Sequence, residues 1–226
     1  MNAKDYLAPA PWDTAVFDMP CFEIKKLNEE VCRWVSQHEG HYTIKINPLD
    51  DKTLLHDYGF YYTDTLIEPS CDIQRVQSYR HPDIWLVQSP DIEELLPMCV
   101  HSFLHGRFHR DFGLSEKDAD RRYQQWLKQL HAEGHVMALT YQHEMAAFIA
   151  YSGGQFLLHA VAEKFRGRGL AKYFWSLGID YLLSQGEKHI QSSISASNLA
   201  VLNLYVSLGF RFENPVDIYH KITRMA

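Results

Sequence analysis

The chain has 226 residues, with 22 Lys and Arg against 28 Asp and Glu and a formal net charge of −6. At 46% hydrophobic and 22% charged residues, it is not a largely disordered chain, and its length allows one large domain or two small ones. Net acidity argues against a general nucleic-acid binder, whose surface is basic, yet leaves room for one small basic pocket.

The opening stretch, MNAKDYLAPAPWDTAVFD, has early acids and no long apolar run, so it does not read as a signal peptide. No segment approaches the roughly 20 apolar residues of a membrane span. Cys21, Cys32, Cys71 and Cys99 show no CxxC spacing. Free buried thiols in a reducing cytoplasm are the expectation.

Residues 21–27 alternate like a half-buried strand. Asn28 is a cap candidate for a helix that Gly40 closes. Residues 41–48 alternate again, with Pro48 as a stop. A short helix, a Gly59 turn and a strand follow, to about Pro69. From His81 the pattern gives a strand at 83–88 and a helix from Pro90 that Pro97 must kink or shorten. Residues 104–114 read as a loop. Ser115 caps a clear helix with acids in its first turn and the apolar stripe Tyr123, Trp126, Leu127 and Leu130, closed by Gly134. Three strands come next, turning near His143 and at Gly153-Gly154. The rest reads as helix 171–186, strand 189–197, helix 199–209 and a last strand broken by Pro215. TLLHDYGFYYTDTLIEP and LNLYVSLGFRFENPVDIYH echo each other as helix, Gly-Phe turn and strand. Either helix–Gly–strand junctions simply look alike, or the N-terminus is a degenerate half-copy of the C-terminal fold.

QFLLHAVAEKFRGRGLAKYFW is the most informative stretch. A hydrophobic strand runs into Arg166-Gly167-Arg168-Gly169-Leu170-Ala171, and an amphipathic helix starts at once. A helix N-terminus offers unpaired N–H groups and a positive dipole end. Gly167 and Gly169 let the backbone approach an anion. Lys164, Arg166, Arg168 and Lys172 lie against only Glu163, a cationic island suited to a polyphosphate. The pattern is not GxxxxGK[ST], which argues against a P-loop kinase or GTPase, and it is not GxGxxG either. A purely structural basic turn is the alternative.

Arg166-x-x-Gly169-x-Ala171, after a strand ending His159-Ala160-Val161, resembles the acyl-CoA pyrophosphate loop of the GNAT superfamily of N-acetyltransferases. Asn198-x-x-x-x-Asn203-x-Tyr205-x-x-x-Gly209-Phe210 resembles the next strand–helix–Gly-Phe element of the same superfamily. Glu163 stands where a Pro is usual, and Val201 where an Ala is. Pro11-Trp12…Phe17, the Gly59-Phe60…Asp64 unit, and the run from Ser102 to Asp111 followed by Arg122-Tyr-x-x-Trp126 resemble nucleotide-sugar N-acetyltransferases of the dTDP-fucosamine type. The resemblance implies an α/β (α+β) fold with a mixed, mostly antiparallel central sheet. It implies a GNAT domain over 81–226 and a smaller, partial GNAT-like half-domain over 1–80.

The resemblance also implies roles. Acetyl-CoA is the co-substrate, and a small amine, most closely a nucleotide-linked amino sugar, is the acceptor. The strand through Val161 is splayed, so that the Val161 N–H faces the thioester carbonyl. Arg166 to Ala171 hold the diphosphate, and Asn198 and Asn203 offer amides to the pantetheine arm. Asn198 as a plain helix cap is the alternative. Tyr205 is the acid for the leaving thiolate, or a tyrosine packed between helix and sheet. Asp64 is the base, or a solvated turn residue, with Glu68, His159 or water as fallbacks. Arg107 and His109, in the loop Arg107-Phe108-His109-Arg110, suit an anionic acceptor. His101, His105 and His109 share an i, i+4, i+8 spacing, but Gly106 interrupts any helix and no acid or Cys completes a site, so no metal is expected. Another small amine, a protein N-terminus, or a non-catalytic acyl-CoA-binding module are the competing functions. Partners in nucleic acid or membrane are not expected, and a homodimer through the last strand is compatible with the sequence.

Overall fold

The structure, a computed structural model, describes residues 3–225. A 3-10 turn at Ala3–Tyr6 leads into strand β1 (Leu7–Pro9) and helix α1 (Pro11–Phe17). Neither is among the expected elements. Pro11 starts α1 because its missing N–H is an orphan at that position in any case. Strand β2 (Cys21–Ile24) and helix α2 (Glu29–Gln37) follow, and Asn28 Oδ1 accepts the Val31 N–H at 2.9 Å. Gly40 does not close α2. It opens strand β3 (Gly40–Ile46), where an added Cβ meets the Pro20 carbonyl at 2.7 Å. Helix α3 (Thr53–Asp57) and strand β4 (Tyr61–Asp72) complete the N-terminal stretch.

Strand β5 (Ile84–Val87) precedes helix α4 (Ile92–Leu95). Pro97 shortens that helix as expected, and the chain tightens into a 3-10 turn at Leu96–Cys99. Helix α5 (Glu116–Ala132) starts at Ser115, whose Oγ accepts the Asp118 N–H at 3.1 Å. Strands β6 (Val136–Tyr141), β7 (Glu144–Ser152) and β8 (Gln155–Val161) are joined by tight turns, the first with Gln142 and His143 both at positive φ. Helix α6 (Ala171–Ser184), strands β9 (His189–Ser192) and β10 (Ile194–Ser195), helix α7 (Leu199–Ser207) and strand β11 (Arg211–Thr223) end the chain. Pro215 does not break β11. Asn214 adopts φ 49 just before it, and β11 pairs with β3 from Asp217 onward.

The chain divides into two compact units of discontinuous segments: 1–66, 105–122 and 215–226 in the first, 67–104 and 123–214 in the second. The residue-80 boundary read from the sequence falls inside the second. In the first unit, β2 and β3 are parallel, and β3 runs antiparallel to β11 from Gly40↔Thr223 to Ile46↔Asp217. Val31 and Val35 of α2 are buried with Ile24, Tyr42, Ile44, Leu55 and Tyr219. In the second unit, β5 to β8 form an antiparallel meander, and β8 pairs parallel with β9. The fold is the mixed α/β architecture expected. Helix α6 packs Phe174, Trp175, Ile179 and Leu182 against this sheet. At Gly178 the helix comes so close that a Cβ meets Ile149 Cδ1 at 2.6 Å.

The two echoing segments share a backbone motif. Phe60 N donates to Leu55 O at 2.9 Å, and Phe210 N to Tyr205 O at 3.1 Å. Both junctions turn through a glycine at positive φ and bury the phenylalanine after it. Leu55 stands at the position that Tyr205 holds in the second junction.

Candidate active site

The strongest anion site read from the sequence lies in the second unit. After β8, a 3-10 turn (Glu163–Phe165) is followed by the exposed loop 166–169. Gly167 and Gly169 both adopt φ +71. Side chains there meet no neighbour, since an ideal Cβ at either glycine finds nothing within 4 Å. The cost of substitution is therefore backbone strain and loss of open surface. Helix α6 has no side-chain cap. Among the described residues, the amides of 167–172 donate to no carbonyl or side chain. Alternating glycines and a bare helix N-terminus present such amides to solvent as an anion cradle.

The four cations have distinct tasks. Arg166 donates its Nε to the Val161 carbonyl at 2.9 Å and a terminal nitrogen to Ser102 Oγ at 2.5 Å, so it fixes the end of β8. Nothing in the sequence signals Ser102 as that partner. Lys164 pairs with Glu144. Arg168 lies over the Tyr141 and Phe165 rings, 5.3 and 5.6 Å from their centroids. Lys172 lies 4.9 Å from the Tyr79 centroid. Arg168 and Lys172 have no carboxylate partner among the described ion pairs. An open cleft is lined by Glu94, Pro97, Met98, Met145, Ala162, Glu163 and Lys164, the last two just before the loop.

Strand β8 is splayed. It pairs with β9 only at Gln155↔Gln191 and Phe156↔Ser192. Its register with β7 slips between Ala150 and Tyr151, which leaves Leu157 as the extra residue of a bulge. Ala162 N donates to Ala146 O of β7 at 2.8 Å. Antiparallel pairing alternates, so the Val161 N–H faces away from β7, toward the side where β9 has parted.

Tyr205 of α7 is wholly enclosed, at 0% exposure. Its hydroxyl lies 3.2 Å from His159 Nε2 and 3.4 Å from Trp175 Nε1. Trp175 donates only, so the Tyr205 oxygen accepts from it, and with the His159 proton on Nδ1 the Tyr205 O–H donates to Nε2. Burial pushes the phenol up to about 12. Burial also pushes His159 down to about 4, so its ring is neutral and one of its two nitrogens is an acceptor. His159, a fallback base in the sequence reading, is brought to Tyr205 by the fold. Trp175 is a partner that sequence reasoning missed. Asn198 caps α7 through Oδ1 on the Val201 N–H at 3.2 Å, and Asn203 is exposed on the same helix.

Asp64, Arg107 and His109 lie in the first unit. Asp64 is no solvated turn residue. It is fully buried, and Arg110 donates to its Oδ1 at 3.0 Å. Arg107 stacks over Phe108 at 4.8 Å. The His109 ring is buried with Nε2 3.0 Å from Asp120 Oδ1, so it braces the loop. In the second unit, Glu68 accepts from Asn214 at 2.7 Å. Among the described residues, His101, His105 and His109 do not gather into a group that an ion can bridge. All four cysteines are free and buried. Burial raises Cys21 to about 12 and Cys32 to about 11, and also raises Cys71, so these remain thiols. Among the described residues, no helix is long and apolar enough to cross a membrane.

A family model described as "Acetyltransferase (GNAT) family" matches residues 101–210. The fold is similar to a GCN5-related N-acetyltransferase from Sphaerobacter thermophilus, with TM-score 0.58 and 13% identity over 83% of this chain. This chain spans only 61% of that one. A tandem GNAT protein from the clavulanic acid biosynthesis pathway gives TM-score 0.57 and 11% identity, over 91% of this chain and 76% of the other. A GNAT-family acetyltransferase from Colwellia psychrerythraea gives 0.56 and 13%, over 91% and 81%. At these identities the likeness is one of fold. No curated protein matches the sequence. Residues 101–210, which run from the loop before α5 to the Gly-Phe turn after Tyr205, are thus similar to the acetyltransferase (GNAT) family over just under half of the chain.

Proposed function

We propose that this protein transfers acetyl from acetyl-CoA directly to the amine of a small acceptor, and that the acceptor is a nucleotide-linked amino sugar. One observation carries the transfer: a splayed strand whose Val161 amide is turned to the open side leads straight into an uncapped, cationic helix N-terminus. Residues 166–171 take the coenzyme diphosphate. The Val161 N–H donates to the carbonyl oxygen as negative charge develops there. The amine nitrogen bonds to the carbonyl carbon, the carbon–sulfur bond breaks, and the thiolate takes the Tyr205 proton. For that, the O–H turns from His159 to the sulfur. The amine's own proton goes to water, because Asp64 is enclosed and engaged by Arg110. No acyl-enzyme is needed, consistent with thiols that burial keeps protonated.

The anionic character of the acceptor is read from the basic loop Arg107-Phe108-His109-Arg110, with Arg107 and His109 as its candidate contacts. The N-terminal segment is read as a degenerate half-copy, with Leu55 where Tyr205 supplies the acid, so one copy is active. Four buried free thiols suit a reducing cytoplasm. The test is release of CoA thiol from acetyl-CoA against a panel of amino-sugar nucleotides, free amino sugars, polyamines and peptides. Turnover confined to the sugar nucleotides is the expected result. Turnover on polyamines or peptides overturns the acceptor, and coenzyme binding without any turnover makes the protein a sensor.

Gly169→Val addresses the cradle. A β-branched residue at φ +71 costs about 1–3 kcal/mol of strain and crowds the amides. Coenzyme affinity, read by calorimetry, is expected to fall at least about tenfold, the equivalent of 1.4 kcal/mol. An unchanged affinity removes the loop from the site.

A further inference from the structure

His41, Asp111 and His220 meet in the interior of the first unit, from β3, the loop before α5, and β11. His41 Nε2 lies 3.0 Å from Asp111 Oδ2, and His220 Nδ1 lies 2.7 Å from the same oxygen. The two nitrogens are 3.2 Å apart. The three side chains are at most 2% exposed. Asp111 is oriented by its other oxygen, which accepts the Tyr61 O–H at 2.8 Å and the Gly113 N–H at 2.9 Å. Only Oδ2 is left to face the imidazoles.

We propose that His41 Nε2, His220 Nδ1 and Asp111 Oδ2 form a binding site for one divalent transition-metal ion of the zinc class. Hydrogen bonding accounts for each nitrogen being near the oxygen. It does not require the two nitrogens to be crowded together as well. A shared ion does: bonds of about 2.1 Å set ligand atoms about 3 Å apart at the right angles of a six-coordinate site and about 3.4 Å apart at tetrahedral angles. All three distances have that size. Two imidazoles and one carboxylate are a donor set for zinc, cobalt, iron or nickel, and not for calcium or magnesium. The carboxylate contributes one negative charge against the ion's two positive ones. Tyr61 and Gly113, on the oxygen that faces away, are the second set of contacts that holds a ligating carboxylate in place. Register supports the convergence. His220 stands opposite Thr43, and His41 opposite Ile222, so the histidines are diagonal neighbours on one face of the β3–β11 pair. The ion ties both strands to the loop before α5.

The full-length protein, stripped with a chelator, is titrated with Co²⁺ alone and then with Zn²⁺. About one equivalent of Co²⁺ is expected, with two paramagnetically shifted imidazole N–H resonances, one per histidine, that Zn²⁺ displaces. Zn²⁺ is expected to raise the melting temperature, since an ion bound only by the folded state stabilises it. Asp111→Asn and His41→Gln are each expected to weaken Co²⁺ at least tenfold. If either variant fails to fold, the two shifted resonances of the wild type decide the matter alone. Absence of those resonances in the wild type overturns the proposal and leaves a hydrogen-bonded trio. Equal Co²⁺ retention by folded variants also overturns it, and places the ion on surface groups such as His189 and Asp72. None of these readouts depends on acetyl transfer.

Discussion

Replacing Tyr205 by phenylalanine is expected to lower kcat by about 10²–10⁴-fold, the span over which a positioned general acid acts, while coenzyme affinity stays within about threefold. The ring is kept, so its contacts with Trp175 and Phe210 survive. What is lost is the O–H that donates to His159 and the oxygen that accepts from Trp175. Leaving those two buried groups without their partner costs about 1–3 kcal/mol of stability. A packing tyrosine therefore gives a lower melting temperature with kcat nearly intact, and a catalytic one gives both losses. The pH profile separates them further. Because burial holds the phenol up at about 12, wild-type kcat is expected to show no loss from phenol ionisation near pH 10, where an ordinary tyrosine titrates. A kcat within threefold of wild type in Tyr205→Phe ends the assignment.

Acidification is expected to remove up to about 3 kcal/mol of stability through His159 alone, at about 1.4 kcal/mol per pH unit of separation. The sign follows from where the proton binds. In the unfolded chain the ring takes a proton below about pH 6.5. In the fold, burial delays this to about pH 4. Between the two values the unfolded state binds more protons, so stability falls as pH drops through that window and levels off below it. The ring is half-buried, edge-on to Trp175 at 4.8 Å and Tyr205 at 6.2 Å, so solvent screens part of the effect and about 3 kcal/mol is its upper bound. His159→Gln keeps an acceptor for the Tyr205 O–H and removes the titration. Urea unfolding of both proteins from pH 7 to pH 4 is the measurement. The wild type is expected to lose up to about 3 kcal/mol more than the variant. Parallel losses refute the claim.

The sequence by itself determined the local elements around the site. Asn28, Ser115 and Asn198 mark helix starts because a short polar side chain satisfies amides three residues on. Pro97 cuts a helix because it lacks an N–H, and the 166–171 loop declares itself because glycines and cations stand between a strand and a helix. These signals act within a few residues, so they are legible in order along the chain. Pro215 was misleading because a proline excludes a hydrogen bond but not a strand. The elements at 7–17 carry too few residues for any period to show.

Only the tertiary structure decided which side chains share an environment. His159 and Tyr205 are 46 residues apart and meet because a strand and a helix pack against each other. The parting of β8 from β9 is a matter of register, which sequence periodicity does not encode between distant strands. Asp64 reads as a turn acid, yet folding encloses it with Arg110 across 46 positions. His41 and His220, 179 positions apart, become neighbours through strand pairing, and Asp111 joins them from a loop. Periodicity fixes which face of an element is buried. It says nothing of which partner that face will find, and the chemistry of this chain resides in the partners.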